Sequence, residues 1–229
     1  MKELSVTPSP TQRSLGLIYL AIELFALQPI LLLVDQALGI GLSRPQLNFL
    51  FFSVNFLCTT LIFHSFLIDS GKMALKHPFR TLLTALTGLV LYFVCNFGIS
   101  TVIRLAFPWF NNINDGSISE MVRENYVLMY IGVVLLTPVG EELLFRGLIF
   151  GSLYNRSKLT AYAVSGVFFA AVHVVGYIGQ YSLLHLFLCF LQYIPPALVI
   201  GWVYCKADTI WSPILLHVTI NQIAILSTR

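Results

Sequence analysis

Glu141-Glu142-Leu143-Leu144-Phe145-Arg146-Gly147 sets two adjacent carboxylates and a guanidinium inside an apolar run, with YIGVVLL at Tyr130–Leu136 before it and LIF at Leu148–Phe150 after it. An ionisable group at membrane depth costs roughly 2.5–3.5 kcal/mol, so such groups face protein or a wet cavity rather than lipid. Three of them so close together need a purpose. Glu142 and Arg146 are four apart, share a helix face and can pair, whereas Glu141 points about 100° away towards another neighbour. A structural ion pair with a spare protonated glutamate is the plain reading. Pro138 and Gly140 loosen the helix just upstream, and broken helices are tolerated where they line a protein-enclosed cavity. That favours one wall of a buried hydrolytic site.

Two further sets of residues join it. Phe169 and His173 lie one helical turn apart in the next apolar stretch. The two stretches run antiparallel about a turn near Ser157, from which Glu141 and His173 are nearly equidistant in sequence. They are expected at similar depth, facing each other across the hairpin. A carboxylate and an imidazole out of bulk water are the parts for activating a water molecule. His217 and Asn221 share a face of the last apolar stretch. They read as interhelical hydrogen-bonding groups, as donors to the oxyanion of a tetrahedral intermediate, or as metal ligation.

Glu-Glu-x-x-x-Arg, then Phe-x-x-x-His, then His-x-x-x-Asn, in that order over Tyr126–Leu226, resembles the CAAX-protease and bacteriocin-processing family of intramembrane endopeptidases, also called the Abi family. The extended string EELLFRGLIFGSL is the most specific part. The resemblance implies that Glu141 and His173 activate the attacking water. It implies that the Glu142–Arg146 pair orients the site, that His217 and Asn221 hold the oxyanion, and that Phe169 contacts substrate. Glu141, His173 and His217 could alternatively hold a divalent metal such as zinc, although the soluble-protease pattern His-Glu-x-x-His is absent. The metal-free mechanism is the preferred expectation. The substrate implied is a peptide or membrane-anchored protein, with peptide pheromones, bacteriocin leaders or anchored proteins favoured over prenylated tails.

The elements that must position these residues are membrane helices. The chain has 229 residues, 57% hydrophobic and 10% charged, with mean hydropathy +0.83, against about 25% charge in soluble domains. Apolar runs of about 20 residues, long enough to cross a bilayer, recur throughout. The expected fold is an all-α, polytopic helical bundle forming one integral membrane domain over 1–229, with about seven spans (six to eight) and the catalytic core in 126–226. The spans are placed at 15–34, 47–68, 82–107, 125–150, 160–176, 183–204 and 210–226, with 69–80 and 108–124 as connections. No cleavable signal peptide is evident. Net charge of +3 without a dense basic run gives no reason to expect a nucleic-acid partner. Cys58, Cys95, Cys189 and Cys205 read as free buried hydrophobes. Lys and Arg concentrate in 69–80, 151–159 and 205–209, which puts the N-terminus in the cytoplasm, in a bacterial plasma membrane by the family's bacterial members. Glu23, alone in the first span, calls for a partner or a proton. Rival readings are a non-proteolytic membrane partner, such as an immunity protein or sensor-kinase regulator, and a proton-coupled transporter. The transporter is disfavoured because no internal duplication is visible.

Overall fold

Caps set most of the helix boundaries in the computed structural model, which describes residues 3–228. Helix α1 (Pro10–Leu38) opens on a capping box in which the Ser9 hydroxyl accepts from the Gln12 amide and Gln12 Oε1 accepts from that of Ser9. It closes at Gly39, whose φ of 63° is a left-handed cap that favours glycine. Helix α2 (Arg44–Ile62) repeats the box with Ser43 and Gln46. Then follow α3 (His64–Lys76), α4 (Pro78–Ala106), α5 (Ile113–Glu124), α6 (Tyr126–Tyr154), α7 (Lys158–Val175), α8 (Leu183–Ala207) and α9 (Trp211–Leu226). Asn112, Asn125, Ser157 and Ser182 cap α5 to α8 with side-chain oxygens.

Six helices (α1, α2, α4, α6, α7 and α8) are long and apolar enough to cross a membrane, and α9 is a shorter apolar helix. The chain is therefore an all-α, multi-pass integral membrane protein. Two stretches expected as connections are helical. Residues 69–76 belong to α3, which bends away from α2 at Phe63, and residues 113–124 form α5. Helix α5 forms because Asn112 caps it and Ile113, Met121 and Val122 are buried on one side of an otherwise polar segment. The four cysteines are free.

Helix α6 is the centre of the bundle. Every residue from Leu143 to Phe150 is buried, and α1, α2, α7, α8 and α9 all pack on α6. Two of its stretches, Tyr130–Leu136 and Leu143–Phe150, are π-helical and flank a short α segment, Thr137–Glu142, that carries both glutamates. The wider i→i+5 turns change which side chains share a face, and such bulges concentrate at functional sites. On one side α7 is pinned to α6 by the Ser165 hydroxyl, which donates to the Phe145 carbonyl at 2.9 Å. On another, α4 meets α8 and α9 at Gly88, where an added Cβ would run into Val203 and Leu216. Residues ahead of α1 are tied to the turn between α8 and α9 by Ser5, whose hydroxyl donates to Asp208 at 2.6 Å.

Candidate active site

Glu142 and Arg146 have no solvent exposure, and Arg146 Nη1 donates to Glu142 Oε1 at 3.2 Å. The guanidinium is held on two further sides. Its Nη2 donates to the Ala197 carbonyl at 3.3 Å, and its carbon lies 4.3 Å from the centre of the Phe169 ring. The Ala197 carbonyl follows Pro195 and Pro196, which interrupt the α8 ladder because neither has an N–H to give. So the expected i,i+4 pair forms, and the arginine also ties α6 to α7 and α8.

His217 completes the cluster from α9. Its Nδ1–H donates to Glu142 Oε1 at 2.8 Å, which leaves Nε2 as the outward nitrogen, 3.9 Å from Glu141 Oε2. Glu141 keeps 16% of its side chain accessible, and its Oε2 has no hydrogen-bond partner. Both glutamates keep an oxygen without a hydrogen-bond partner, but Glu142 is anchored through Oε1 by arginine and imidazole and is fully buried, while Glu141 is partly accessible beside the other edge of the same imidazole. That arrangement can hold an imidazole in one orientation and accept a proton beside it.

His173 sits next to this cluster but is anchored differently. Its Nδ1–H donates to the Phe169 carbonyl at 2.7 Å, leaving Nε2 unbonded, and its ring stacks on Tyr193 at 4.2 Å. The Tyr193 hydroxyl donates to Asp115 at 2.8 Å, so α5 and α8 both support that histidine. The Phe169 ring lies between the imidazoles, 4.7 Å from His173 and 6.1 Å from His217 between centres. The imidazole within ion-pair reach of Glu141 is that of His217; among the described residues no such contact joins Glu141 to His173. Phe169, expected to touch substrate, is 3% exposed and packs the two histidines and Arg146 together. Asn221 Nδ2 donates to the Val133 carbonyl at 2.8 Å, and its second N–H is left for another acceptor.

Metal binding asks for ligands converging on one point. Among the described residues no three His, Cys, Asp or Glu side chains are grouped to hold an ion. Glu141 and His217 adjoin each other, but His173 is turned onto Tyr193, so this donor set does not fit zinc as it stands.

The sequence passed over one contributor, since Tyr193 gave no signal beyond being an aromatic residue in an apolar run. Asn55 reads in the sequence as an interhelical hydrogen-bonding group, and its Nδ2 donates across to Glu23 Oε1 at 2.7 Å.

The bundle of membrane-crossing helices closes around a buried acid–base cluster, which defines a polytopic membrane protein with a candidate site in its core. Comparison with known proteins identifies the lineage. The profile of type II CAAX prenyl endopeptidase Rce1-like proteins matches residues 123–223, the stretch that holds every motif residue from Glu141 to Asn221. The "UPF0177 protein YxdF" of Lactococcus lactis subsp. lactis (strain IL1403) is 30% identical over 138 residues, which is 59% of this chain and 71% of that protein. The "Putative membrane peptidase YdiL" of Bacillus subtilis (strain 168) is 31% identical over 100 residues, 43% of this chain and 36% of that protein. No solved structure matches. The chain belongs to the CAAX-protease and bacteriocin-processing family of membrane proteases.

Proposed function

We propose that this protein is an intramembrane endopeptidase that hydrolyses a peptide bond in a membrane-associated peptide or protein. The observation that carries the reading is His217 bridging two adjacent glutamates, one fully buried and paired, the other with a free oxygen. Glu141 and His173 activate water: a proton passes to the carboxylate as the oxygen attacks the carbonyl carbon. His217, oriented by Glu142, donates Nε2–H to the oxyanion, and the remaining N–H of Asn221 does the same. The proton held by Glu141 then goes to the amine nitrogen as the C–N bond breaks. Arg146 pairs with Glu142 and so fixes the carboxylate that orients His217. No step passes through a metal. The N-terminus lies in the cytoplasm, in a bacterial plasma membrane. Peptide pheromones, bacteriocin leaders and anchored proteins are the substrate classes.

The test compares purified wild type, Glu141→Gln and His173→Ala in liposomes against a fluorogenic peptide library, with and without a chelator. General acid–base groups contribute about 10²–10⁴-fold, so each variant is expected to lose cleavage by that order while wild type survives chelation. Loss of wild-type activity to the chelator, restored by added zinc, would overturn the metal-free mechanism. Variants as active as wild type would overturn the site. An unchanged cellular phenotype for both variants would favour a binding partner over a peptidase.

A further inference from the structure

Glu23 lies on α1, outside the region matched by the protease profile, at the head of a π-helical segment, Glu23–Leu27. Its Oε1 accepts from Asn55 Nδ2 at 2.7 Å, and the Tyr19 hydroxyl donates to Asn55 Oδ1 at 3.3 Å. The amide is therefore fixed with its donor edge on the carboxylate. Asn55 in turn abuts the α6 backbone next to the site, since a Cβ added to Gly140 would stand 3.1 Å from Asn55 Nδ2. Gly140 is followed directly by Glu141, so Asn55 links Glu23 to the part of α6 that carries the catalytic carboxylates. Glu23 Oε2 is shut off from solvent without a hydrogen-bond partner, as is Glu141 Oε2.

Charge balance says what belongs there. Three carboxyl groups (Glu23, Glu141, Glu142) share the cluster, and the cationic groups joined to it are Arg146 and His217. Even with both His217 nitrogens protonated, one carboxylate has no counter-charge. An uncompensated charge away from water is strongly unfavourable, so the resting protein meets it with a proton. We propose that Glu23 is a substrate-binding residue, its free Oε2 an acceptor for a cationic group, the lysine or arginine side chain of a substrate residue beside the scissile bond. This rests on the peptidase reading for the identity of the occupant. Asn55 leaves one oxygen of Glu23 free, and a lysine ammonium brings three donors with the charge the cluster lacks.

The experiment uses the full chain in liposomes with paired peptides identical except for lysine or norleucine at each position flanking the cleaved bond. A parallel pair carries a reduced, uncleavable amide, and its binding is read by fluorescence anisotropy. Close charge pairs across interfaces couple strongly, so wild type is expected to bind the lysine analogue at least about tenfold tighter than its norleucine twin at one position. Glu23→Gln, which keeps the shape and the Asn55 contact, is expected to bring that ratio within about threefold and to leave norleucine binding unchanged, because it removes only the charge. Glu23→Asp should keep the preference for lysine. Absence of a lysine preference in wild type, or its survival in Glu23→Gln, would overturn the proposal. Binding and turnover fail separately: a protein that prefers lysine through Glu23 but cleaves nothing sinks the peptidase reading, and one that cleaves without the preference sinks this inference alone.

Discussion

Arg146→Met tests whether the guanidinium is the keystone of the cluster. The substitution keeps much of the side-chain volume and removes the hydrogen bonds to Glu142 and to the Ala197 carbonyl, along with the contact to Phe169. Glu142 would be left with no solvent exposure and His217 as its one remaining partner. Removing one member of a buried pair costs about 3–5 kcal/mol, mostly because the other charge is stranded. That is a large fraction of the ~5–15 kcal/mol that holds a typical domain together. Neutralising the stranded partner should recover much of it, so Glu142→Gln/Arg146→Met is expected to be more stable than Arg146→Met alone, by about 1–3 kcal/mol. The assay is reversible unfolding in mixed micelles of wild type, both single variants and the double, read by tryptophan fluorescence. All three variants should lose proteolysis, because Glu142→Gln takes the charged orienting partner from His217 and Arg146→Met leaves that partner without its anchor. A double variant whose destabilisation equals the sum of the singles would refute the stranded-charge reasoning. So would an Arg146→Met protein within about 1 kcal/mol of wild type, a cost expected of an exposed pair.

Gly88→Ala should destabilise the bundle by about 1–3 kcal/mol through overpacking, because its Cβ would press on Val203 and Leu216. Thermal unfolding in detergent measures the loss, and the folded fraction should keep the wild-type kcat. At His173 the stack on Tyr193 can be separated from the hydroxyl clamp. Aromatic pairs contribute about 0.5–1.5 kcal/mol, so Tyr193→Leu should lower kcat by about twofold to tenfold, with Tyr193→Phe retaining most of it. Equal losses in the two variants would show that the hydroxyl, not the ring, supports the histidine.

Depth along the membrane was legible in the sequence; rotation about each helix axis was not. Run length and hydropathy are enough to find the helices that cross, and counting from the turn near Ser157 sets Glu141 and His173 at one level. Which imidazole meets which glutamate depends on how α7 and α9 are rotated against α6. The two π-helical stretches of α6 alter its faces without any marker in residue type. Hence the pair fixed by local geometry, Glu142 with Arg146, forms as the four-residue spacing predicts, and the long-range partners differ. His217 takes the place beside Glu141, while Asn221 spends one N–H on the Val133 carbonyl. Helix α5 was hidden because its polar composition resembles a loop, and its formation depends on tertiary burial of Ile113, Met121 and Val122.

Why a doublet of glutamates is needed follows from the same geometry. A carboxylate that is to take a proton from water needs access to that water, whereas one that is to orient an imidazole must be anchored and immobile. One side chain cannot meet both demands. Adjacent positions on a helix diverge by about 100°, so two glutamates in sequence deliver two acids to one site at one depth with separate surroundings. Glu142 is aimed inward, where Arg146 and His217 fill one of its oxygens and burial is complete. Glu141 retains partial access and a free oxygen. Arg146 hydrogen-bonds Glu142, so it anchors the orienting carboxylate. A swap of Glu142 for glutamine should therefore damage catalysis through the orientation of His217, and a swap of Glu141 should remove the base itself.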